Sequence, residues 1–556
     1  MRDSELPCCH GRRANGAGRP DALHPRRIGR GGWSSGALGR GATQPGRSPG
    51  LAAAVARCKR REPLVPARKP ATGPEKRTPM QTTAQVPIDI LHWTLAVLPI
   101  IALLVFLVPL RWRAPEAGPV AMFVAAIVAL LAFRTPWNTL AVAGAKGVWD
   151  AIFILYVIWP ALLLYQVTKQ AGAYDALRLG IAKFSRNELF IILALSWVFA
   201  SFLQGIAGFG APVAVVVPLL ITVGVRPIYA VAMGVTAHAW ARFFGTLGVG
   251  WLATLQVASL QDVARAAYES ALLLLIPTYL GGLFVVWLYG RWPAVRHAWP
   301  LVLILGSILG VGQLLAAFIS PELSTFLAAA VALLALYPLS RWRRFGEPVQ
   351  GIAVRPAMMD RAPEEQKREE TPVMTLAMSF LPYVILTAVT LSALLIPALN
   401  AALRRVQLGL PFPAVETGFG IHNDGTASYA PIAPFTHPGM MLLVTAAIVW
   451  AVYRAGGYYR AWARRHQPES IWSALLVDAV PASVPVIAFL VTSRILDHSG
   501  QSLTLAYGLA AVSPPLVYAG IASVIGALGA FMTSSSTASN VLFGGVQSSV
   551  AQLHGL

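Results

Sequence analysis

The stretch Ser201-Phe-Leu-Gln-Gly-Ile-Ala-Gly-Phe-Gly-Ala-Pro212 interrupts a long apolar run. It lies between two apolar segments, Glu188 to Ala200 and Val213 to Val225. Its glycines permit backbone angles and close approaches that a Cβ prevents, and proline suits the first turn of a following helix. Within a bilayer, a broken helix persists only where protein or a water-filled cavity covers its backbone. We therefore predict that residues 204–212 form a hairpin tip at a binding site.

The helix that follows this break would point free N–H groups and a partial positive charge into it. Such a helix end is suited to binding a carboxylate. The alternative is that Gly205, Gly208 and Gly210 only allow neighbouring helices to pack closely. The stretch by itself leaves both interpretations open.

Composition indicates a polytopic membrane protein. Hydrophobic residues make up 56% and charged residues 12% of the 556 positions, whereas about one quarter of a soluble domain is charged. The formal net charge is +20, but residues 1–79 alone hold 17 Lys or Arg and 5 Asp or Glu. The charge therefore does not indicate a nucleic-acid partner for the membrane body. All three cysteines, Cys8, Cys9 and Cys58, lie in the same segment, which excludes disulfides and thiolate metal sites from that body.

Residues 1–79 are rich in Arg, Gly and Pro and have no apolar periodicity, which predicts disorder. They contain no continuous apolar segment of a secretory signal. Met80 precedes the first apolar segment directly, so we expect translation to start there. A basic arm that touches lipid headgroups or RNA is the alternative.

Segments of about 20 apolar residues predict nine membrane spans. They lie near residues 91–110, 118–134, 148–168, 271–290, 300–318, 322–340, 376–397, 438–455 and 481–496. Two further regions, 188–256 and 514–553, are apolar but interrupted. Loops rich in Lys and Arg fall on one side, which predicts that this side is the cytoplasm and that Met80, at the start of the membrane body, lies outside. The predicted organisation is a first half at 80–340, a cytoplasmic linker at 341–375 and a second half at 376–556.

An internal repeat connects the two halves. Residues 169–185 align with 497–513 at an offset of 328 residues. The identities are Gly172 with Gly500, Leu177 with Leu505, Gly180 with Gly508, Ala182 with Ala510 and Ser185 with Ser513. Each copy leads to a break rich in small residues, and loop charges place the copies on opposite sides. This pattern predicts an all-α, inverted-repeat secondary transporter with re-entrant hairpins and broken helices.

The second predicted tip, residues 532–540, is rich in hydroxyl groups. Together the two tips supply the candidate substrate-binding residues, which are Gln204, Gly205, Gly208, Phe209, Gly210, Thr533, Ser534, Ser535, Ser536, Thr537, Ser539 and Asn540. Hydroxyl side chains can bind a carboxylate or return hydrogen bonds to their own helix. Asn540 is a candidate helix cap.

Several motifs resemble the lactate permease family of bacterial inner-membrane carriers. The segment Gly205-Ile-Ala-Gly-Phe-Gly-Ala-Pro-Val-Ala214 is similar to that family's Gly-Ala-Ala-Gly-Phe-Gly-Ala-Pro-Val-Ala motif. Further similarities occur at Ser499-Gly500 with Thr504-Leu505-Ala506, at Ser539-Asn540-Val-Leu-Phe543 with Gln547, and at Pro321-Glu322-Leu323. The resemblance implies symport of lactate or glycolate with protons.

The chain also departs from the family pattern. The family typically has Glu at the position of Gln204 and Asn-Thr-Ala-Pro at the position of His238-Ala-Trp-Ala241. Family members continue through a further segment and a final span, whereas this chain ends at Leu556. From this we expect the second half to lack a counterpart of residues 228–256, as in a truncated or divergent member.

Charged residues within apolar segments are functional candidates. Arg242 follows His238 by four residues, so on a helix both would share a face, with Arg242 neutralising a carboxylate and His238 carrying a proton. The alternative is that both lie at a wetted helix break. We expect Arg494, Asp497 and His498 to reach the headgroups. Lys146 and Asp150 are expected to pair across one turn without a transport role.

These features favour a proton-coupled carrier of small monocarboxylates that is not an enzyme. Its expected partners are a small organic anion, a proton and the bilayer, with no nucleic acid, cofactor or metal. The alternatives are a carrier of another small organic anion and a degenerate or truncated membrane protein that does not transport. A membrane enzyme is disfavoured, because no His, Asp and Glu cluster has the spacing of metal ligands.

Overall fold

The fold is taken from a computed structural model, which describes residues 86–182, 185–208, 210–349, 352–359, 372–466, 469–533 and 535–555. The predicted disordered tail, residues 1–79, lies outside the described residues.

The first half and the linker that follows it contain thirteen helices among the described residues. They are α1 (Ile90–Leu107), α2 (Ala114–Leu131), α3 (Trp137–Lys169), α4 (Ala173–Ala182), α5 (Glu188–Leu193), α6 (Ala200–Ile206), α7 (Ala211–Thr222), α8 (Pro227–Thr236), α9 (Gly245–Val257), α10 (Val263–Leu273), α11 (Leu275–Ala317), α12 (Pro321–Ser340) and α13 (Arg343–Gly346). A π-helical section, Ala194–Phe199, joins α5 to α6, and a 3-10 turn, Ala239–Arg242, lies between α8 and α9.

The described part of the second half contains eight helices and four short strands. The helices are α14 (Leu376–Leu395), α15 (Pro397–Leu403), α16 (Pro438–Ala455), α17 (Tyr458–Ala463), α18 (Ile471–Ser499), α19 (Gln501–Val512), α20 (Pro515–Thr533) and α21 (Ser536–Leu553). The strands are β1 (Leu408–Phe412), β2 (Val415–Glu416), β3 (His422–Asn423) and β4 (Thr426–Ile432), with a 3-10 turn at Pro434–Thr436.

The predicted all-α polytopic fold is confirmed. Ten helical segments among the described residues are long and apolar enough to cross a membrane. Helix starts follow the usual chemistry of caps: the Asp89 side chain accepts hydrogen bonds from the amides of Leu91 and His92 at the start of α1. Proline occupies the first turn of α7 and α12. A backbone N–H in this turn has no acceptor within the helix, so proline loses no hydrogen bond there.

Several predicted boundaries were wrong. The spans predicted at 148–168 and 481–496 are parts of longer helices, α3 and α18. Polar residues near the ends of the predicted spans are buried against other helices, so the helices continue past them. Between the spans predicted at 271–290 and 300–318, the chain departs from helical angles only at Gly290 and Arg291, and it is helical again from Trp292 onward, so α11 consists of two helical sections.

Two small antiparallel sheets between α15 and α16 were not predicted. β1 pairs with β4, and β2 pairs with β3. They pack on α3, where Trp149 Nε1 donates to the carbonyl of Ala430 at 3.1 Å and Thr139 Oγ1 donates to the carbonyl of Glu416 at 3.0 Å. These contacts make the connection an ordered layer on the outer surface of α3.

The two halves repeat one order of elements. In each half a long helix, α3 or α18, ends near a glycine in the left-handed conformation, Gly172 (φ +79°) or Gly500 (φ +87°). A shorter helix follows, α4 or α19, and then a hairpin of two helical arms. These glycines are one of the residue pairs that the sequence alignment matches.

Packing between the halves is reciprocal. α1 packs on α19, and α14 packs on α4; α2 packs on α18, and α16 packs on α3. α3 and α18 pack on each other, and a Cβ added at Gly147 would lie 2.6 Å from Cα of Val491. Each of these contacts therefore has a counterpart formed by the corresponding helices of the other half. This reciprocal packing brings the two hairpins to the same region.

Candidate functional site

The first hairpin is broken where the glycine-rich stretch predicted a tip. α6 ends at Ile206 and α7 begins at Ala211, after Gly210 in the left-handed conformation at φ +90°. Gly208 lies against α9: a Cβ there would overlap Thr246 Oγ1 and would lie 3.0 Å from Gln204 Nε2. A glycine is needed at position 208 because this contact leaves no room for a side chain.

The second hairpin is broken between α20 and α21. The Ser535 side chain caps α21 by accepting a hydrogen bond from the amide of Ala538 at 3.2 Å. Amides in the first turn of a helix have no partner within the helix. Ser536 and Thr537, in the first turn of α21, therefore have backbone N–H groups that no helical carbonyl accepts.

Both tips line one cavity of about 230 Å³. Its lining residues come from the two hairpins, from the segment after α8 and from the start of α9. They are Gln204, Gly210, Pro212, Val213, His238, Arg242, Gly245, Thr246, Val249, Ser535, Ser536 and Thr537. Seven of these twelve are residues that the sequence singled out. The lining contains an arginine and no carboxylate.

His238 and Arg242 lie in the cavity wall, but the expectation that they share the face of one helix was wrong. α8 ends at Thr236, and the 3-10 turn Ala239–Arg242 carries the arginine. The chain leaves the α-helical conformation at His238 (φ −105°, ψ 11°), so the α-helical spacing of the two residues does not apply. His238 is buried, and its Nδ1 has no hydrogen-bond partner within the described part of the chain.

Arg242 is the cavity's cation. No carboxylate among the described residues forms an ion pair with it. Removing a charge from water is unfavourable unless the charge is paired and hydrogen-bonded. The cavity consequently has an unbalanced positive charge beside helix N-termini, and an anion would balance it.

The start of α9 contributes residues that sequence reasoning missed. Thr246, Leu247 and Gly248 all have left-handed backbone angles, with φ of 52°, 49° and 77°. Non-glycine residues in this region carry strain, which is concentrated at functional sites in proteins. The spacing Gly245-Thr-Leu-Gly248-Val-Gly250 was a usable sequence signal for an irregular backbone.

Some predicted site residues do not line the cavity. Gly205 packs against the backbone of Phe326, and Thr533 Oγ1 donates to the carbonyl of Gly529 at 2.8 Å. Ser539 Oγ donates to the carbonyl of Gly526 at 2.9 Å. The Ser539 bond joins α21 to α20, the two arms of the second hairpin. Phe209 and Ser534 lie outside the described residues.

Asn540 is not the cap of α21, contrary to expectation. Ser535 is the cap because it is the last residue with extended angles (φ −148°, ψ 120°). Asn540 lies in the helix itself, where its Nδ2 donates to Thr254 Oγ1 at 3.1 Å. It thereby connects the second hairpin to α9.

A larger cavity of about 490 Å³ lies between α8 and α11 and is a poorer candidate. Its lining is apolar and includes Leu280, Phe284, Trp287 and Trp292. It offers no charged group to an anion. A polar solute is better suited to the cavity of the two tips.

Five charged residues differ from expectation. Asp150 and Lys146 do not pair with each other: Asp150 pairs with Arg494, and Lys146 Nζ lies 3.1 Å from His498 Nε2. Arg494, His498 and Asp497, which were expected to reach the headgroups, instead contact α3, α9 and α21. Asp150, Lys146 and His498 are buried.

The chain matches the family described as L-lactate permease over residues 93–556. It is 26% identical to the glycolate permease GlcA of Escherichia coli (strain K12), over 82% of this chain and 83% of that protein. It is 26% identical to an L-lactate permease of Salmonella typhi (83% and 84% covered) and 24% identical to one of Bacillus subtilis (strain 168; 84% and 82%). No solved structure matches the chain.

The cavity predicts which serines react with a thiol reagent. In a protein whose three cysteines are replaced by serine, Ser536→Cys should react with a small anionic methanethiosulfonate at least about tenfold faster than Ser539→Cys. Ser536 lines the cavity, whereas Ser539 is 3% exposed and bonded to Gly526. Mass spectrometry after timed quenching measures both rates. Equal rates would contradict the described orientation of α21.

Proposed function

Since the chain belongs to the L-lactate permease family, we propose that it transports a small monocarboxylate of the lactate or glycolate type across the cell membrane, together with a proton. Relatives named as L-lactate permeases and as a glycolate permease support this substrate class. The single observation that carries the proposal is the unpaired Arg242 in a cavity lined by two hairpin tips.

The proposed binding mode uses three kinds of group. The substrate carboxylate pairs with the Arg242 guanidinium, which can bind both oxygens. The first-turn amides of α21, at Ser536 and Thr537, stabilise the same negative charge. Gln204, His238 and Thr246 are the remaining polar side chains of the first half in this cavity, and they are available to the substrate hydroxyl.

The size of the cavity supports a small substrate. A liquid water molecule occupies about 30 Å³, and the cavity of about 230 Å³ is several times larger. Lactate has six non-hydrogen atoms and fits, whereas a long acyl chain would require the tips to separate. Relative movement of the repeats would then expose the site to each side in turn.

Flux measurements on purified protein in liposomes test the proposal. We expect uptake of labelled L-lactate or glycolate that increases when the interior is alkaline, with weaker uptake of dicarboxylates. Arg242→Gln should weaken substrate binding at least about 30-fold, equivalent to about 2 kcal/mol, because truncating one partner of a buried charge pair typically costs this much or more.

Arg226→Gln is the matched control for this substitution. Arg226 precedes α8 and is exposed, and it is not part of the cavity lining. Its replacement should leave binding within about twofold of the unmodified protein. Unchanged binding in Arg242→Gln, or no flux of any monocarboxylate by the unmodified protein, would refute the proposal.

Substitutions at the two tips give an independent prediction. Gly208→Val should abolish uptake, because any Cβ there meets Thr246. Ser535→Val should also abolish uptake, since it removes the cap of α21 and a cavity hydroxyl, whereas Ser535→Thr retains both. Gly520→Val is the control for insertion, because nothing lies within 4 Å of an added Cβ there. Normal uptake by Gly208→Val and Ser535→Val would remove the tips from the substrate site.

A further inference from the structure

A second group of charged residues lies between α3 and α18, outside the lining of the cavity. The carboxylate of Asp150 on α3 is fully buried, and its Oδ2 lies 2.6 Å from Nε of Arg494 on α18. Tyr429 of β4 donates its hydroxyl to the same Oδ2 at 3.1 Å. The ion pair is therefore enclosed by two long helices and the strand layer.

Lys146 and His498 extend this group. His498 Nδ1 lies 3.0 Å from the carbonyl oxygen of Arg494, and its Nε2 lies 3.1 Å from Lys146 Nζ. A carbonyl oxygen only accepts, so the hydrogen of the imidazole is on Nδ1. Nε2 then accepts from the Lys146 ammonium. In this arrangement His498 is neutral, and Asp150 is the anion paired with Arg494.

Asp150 has one oxygen in use and one free. Its Oδ1 is buried and has no hydrogen-bond partner among the described residues. A buried carboxylate oxygen without a hydrogen-bond partner is unfavourable. Binding a proton is one way to remove this cost, because it neutralises the carboxylate. A proton at Oδ1 would convert the carboxylate to the neutral acid and end the charge attraction to Arg494.

α9 connects this pair to the substrate cavity. An Arg494 guanidinium nitrogen donates to the carbonyl of Gln256, near the last turn of α9. Val249, which follows the left-handed residues Thr246–Gly248 and begins the regular part of the same helix, lines the cavity. Val249 and Gln256 are separated by roughly 10 Å along the helix at 1.5 Å per residue. A change at Arg494 can therefore move one end of a rigid element whose other end contacts the substrate.

A related pair, also formed between α3 and α18, lacks the cation. At the repeat offset of 328 residues, Asp150 corresponds to Asp478 and Arg494 corresponds to Gln166. Gln166 Nε2 donates to Asp478 Oδ2 at 2.6 Å, so the related residues also contact each other. Asp478 is exposed, however, and its partner is a neutral amide. Only the Asp150 pair combines burial with an opposite charge.

We propose that Asp150 is the proton-binding residue of the carrier, with Arg494 transmitting its protonation state to the substrate cavity through α9. This inference rests on the proposed proton-coupled transport. The proton enters from water on one side, binds Oδ1 and leaves to water on the other side, and no other bond changes. The described ionisable groups that surround Asp150 are Lys146 on α3, Arg494, Asp497 and His498 on α18, Tyr429 on β4, and Asp424 in the turn before β4.

His238 is a less suitable proton carrier than Asp150. It lies in the cavity wall with Arg242, and no carboxylate is part of that lining. A protonated imidazole there would place two cations side by side in a partly dry site, which is unfavourable. Asp150, in contrast, has a cation that stabilises its charged form and a free oxygen that accepts the proton.

Two transport modes of the purified chain in liposomes separate proton coupling from substrate binding. The first is exchange of labelled for unlabelled L-lactate at equal pH on both sides. The second is accumulation of L-lactate driven by a gradient of one pH unit, which supports up to about tenfold accumulation for one proton per anion. Protein-free liposomes give the passive flux of lactic acid, which is subtracted.

Asp150→Asn should lower the ratio of gradient-driven accumulation to exchange at least about fivefold, because the amide does not bind a proton in this pH range. Asp478→Asn, the same substitution at the related position, should leave the ratio unchanged. In His238→Gln the rate of exchange can fall, but the ratio of gradient-driven accumulation to exchange should stay the same.

The double variant Asp150→Asn/Arg494→Gln covers the case in which an unpaired buried arginine prevents folding. It removes both charges, and it should still exchange without accumulating. An unchanged ratio in Asp150→Asn, an equal loss in Asp478→Asn, or loss of exchange in both the single and the double variant overturns the proposal. Absence of exchange in the unmodified protein would instead refute the proposed function, so the two failures are distinguishable.

Discussion

Backbone N–H and C=O groups at membrane depth must be covered, and this constraint organises the structure. A helix interrupted within the bilayer exposes polar groups that lipid cannot satisfy. Here the chain is interrupted after Ile206 and after Thr533, and the two breaks lie at one cavity. α9 packs on both hairpins: its Thr246 lies against Gly208 at the first break, and α9 also packs on α21 after the second break. The unsatisfied helix ends thereby become the polar groups of an enclosed site.

The reciprocal packing of the halves explains why the breaks meet. α3 and α18 pack on each other, and each half supplies a helix that packs on the long helix of the other half. The hairpins follow α4 and α19 at corresponding positions in the chain, so this arrangement brings them together. The long helices carry the buried Asp150–Arg494 pair, and α9 lies between that pair and the cavity. The same packing of α3 and α18 therefore positions both the buried ion pair and the substrate cavity.

Much of the fold could be predicted from the sequence, because apolar length and glycine-rich breaks are local signals. The break before Ala211 and the hydroxyl-rich second tip were identified in this way. The orientation of individual side chains was not predictable. Asn540 and Ser539 belong to the predicted tip, but their partners on α9 and α20 orient them away from the cavity.

Long-range contacts account for the other differences. Thr246 has left-handed backbone angles and packs against Gly208, and no local pattern specifies that contact. Arg494 lies near the end of a predicted span, where a charged side chain is expected to extend to the headgroups. Its actual partner, Asp150, lies in the other half of the chain. The strands between α15 and α16 were missed because they are short and are ordered by contacts with α3.

A density map of the purified chain with bound L-lactate tests the central claim most directly. We expect one carboxylate within about 3 Å, hydrogen-bond distance, of both the Arg242 guanidinium and the first-turn amides of α21, between two interrupted hairpins. Lactate density in another cavity, or a continuous helix through Gly208, would contradict it.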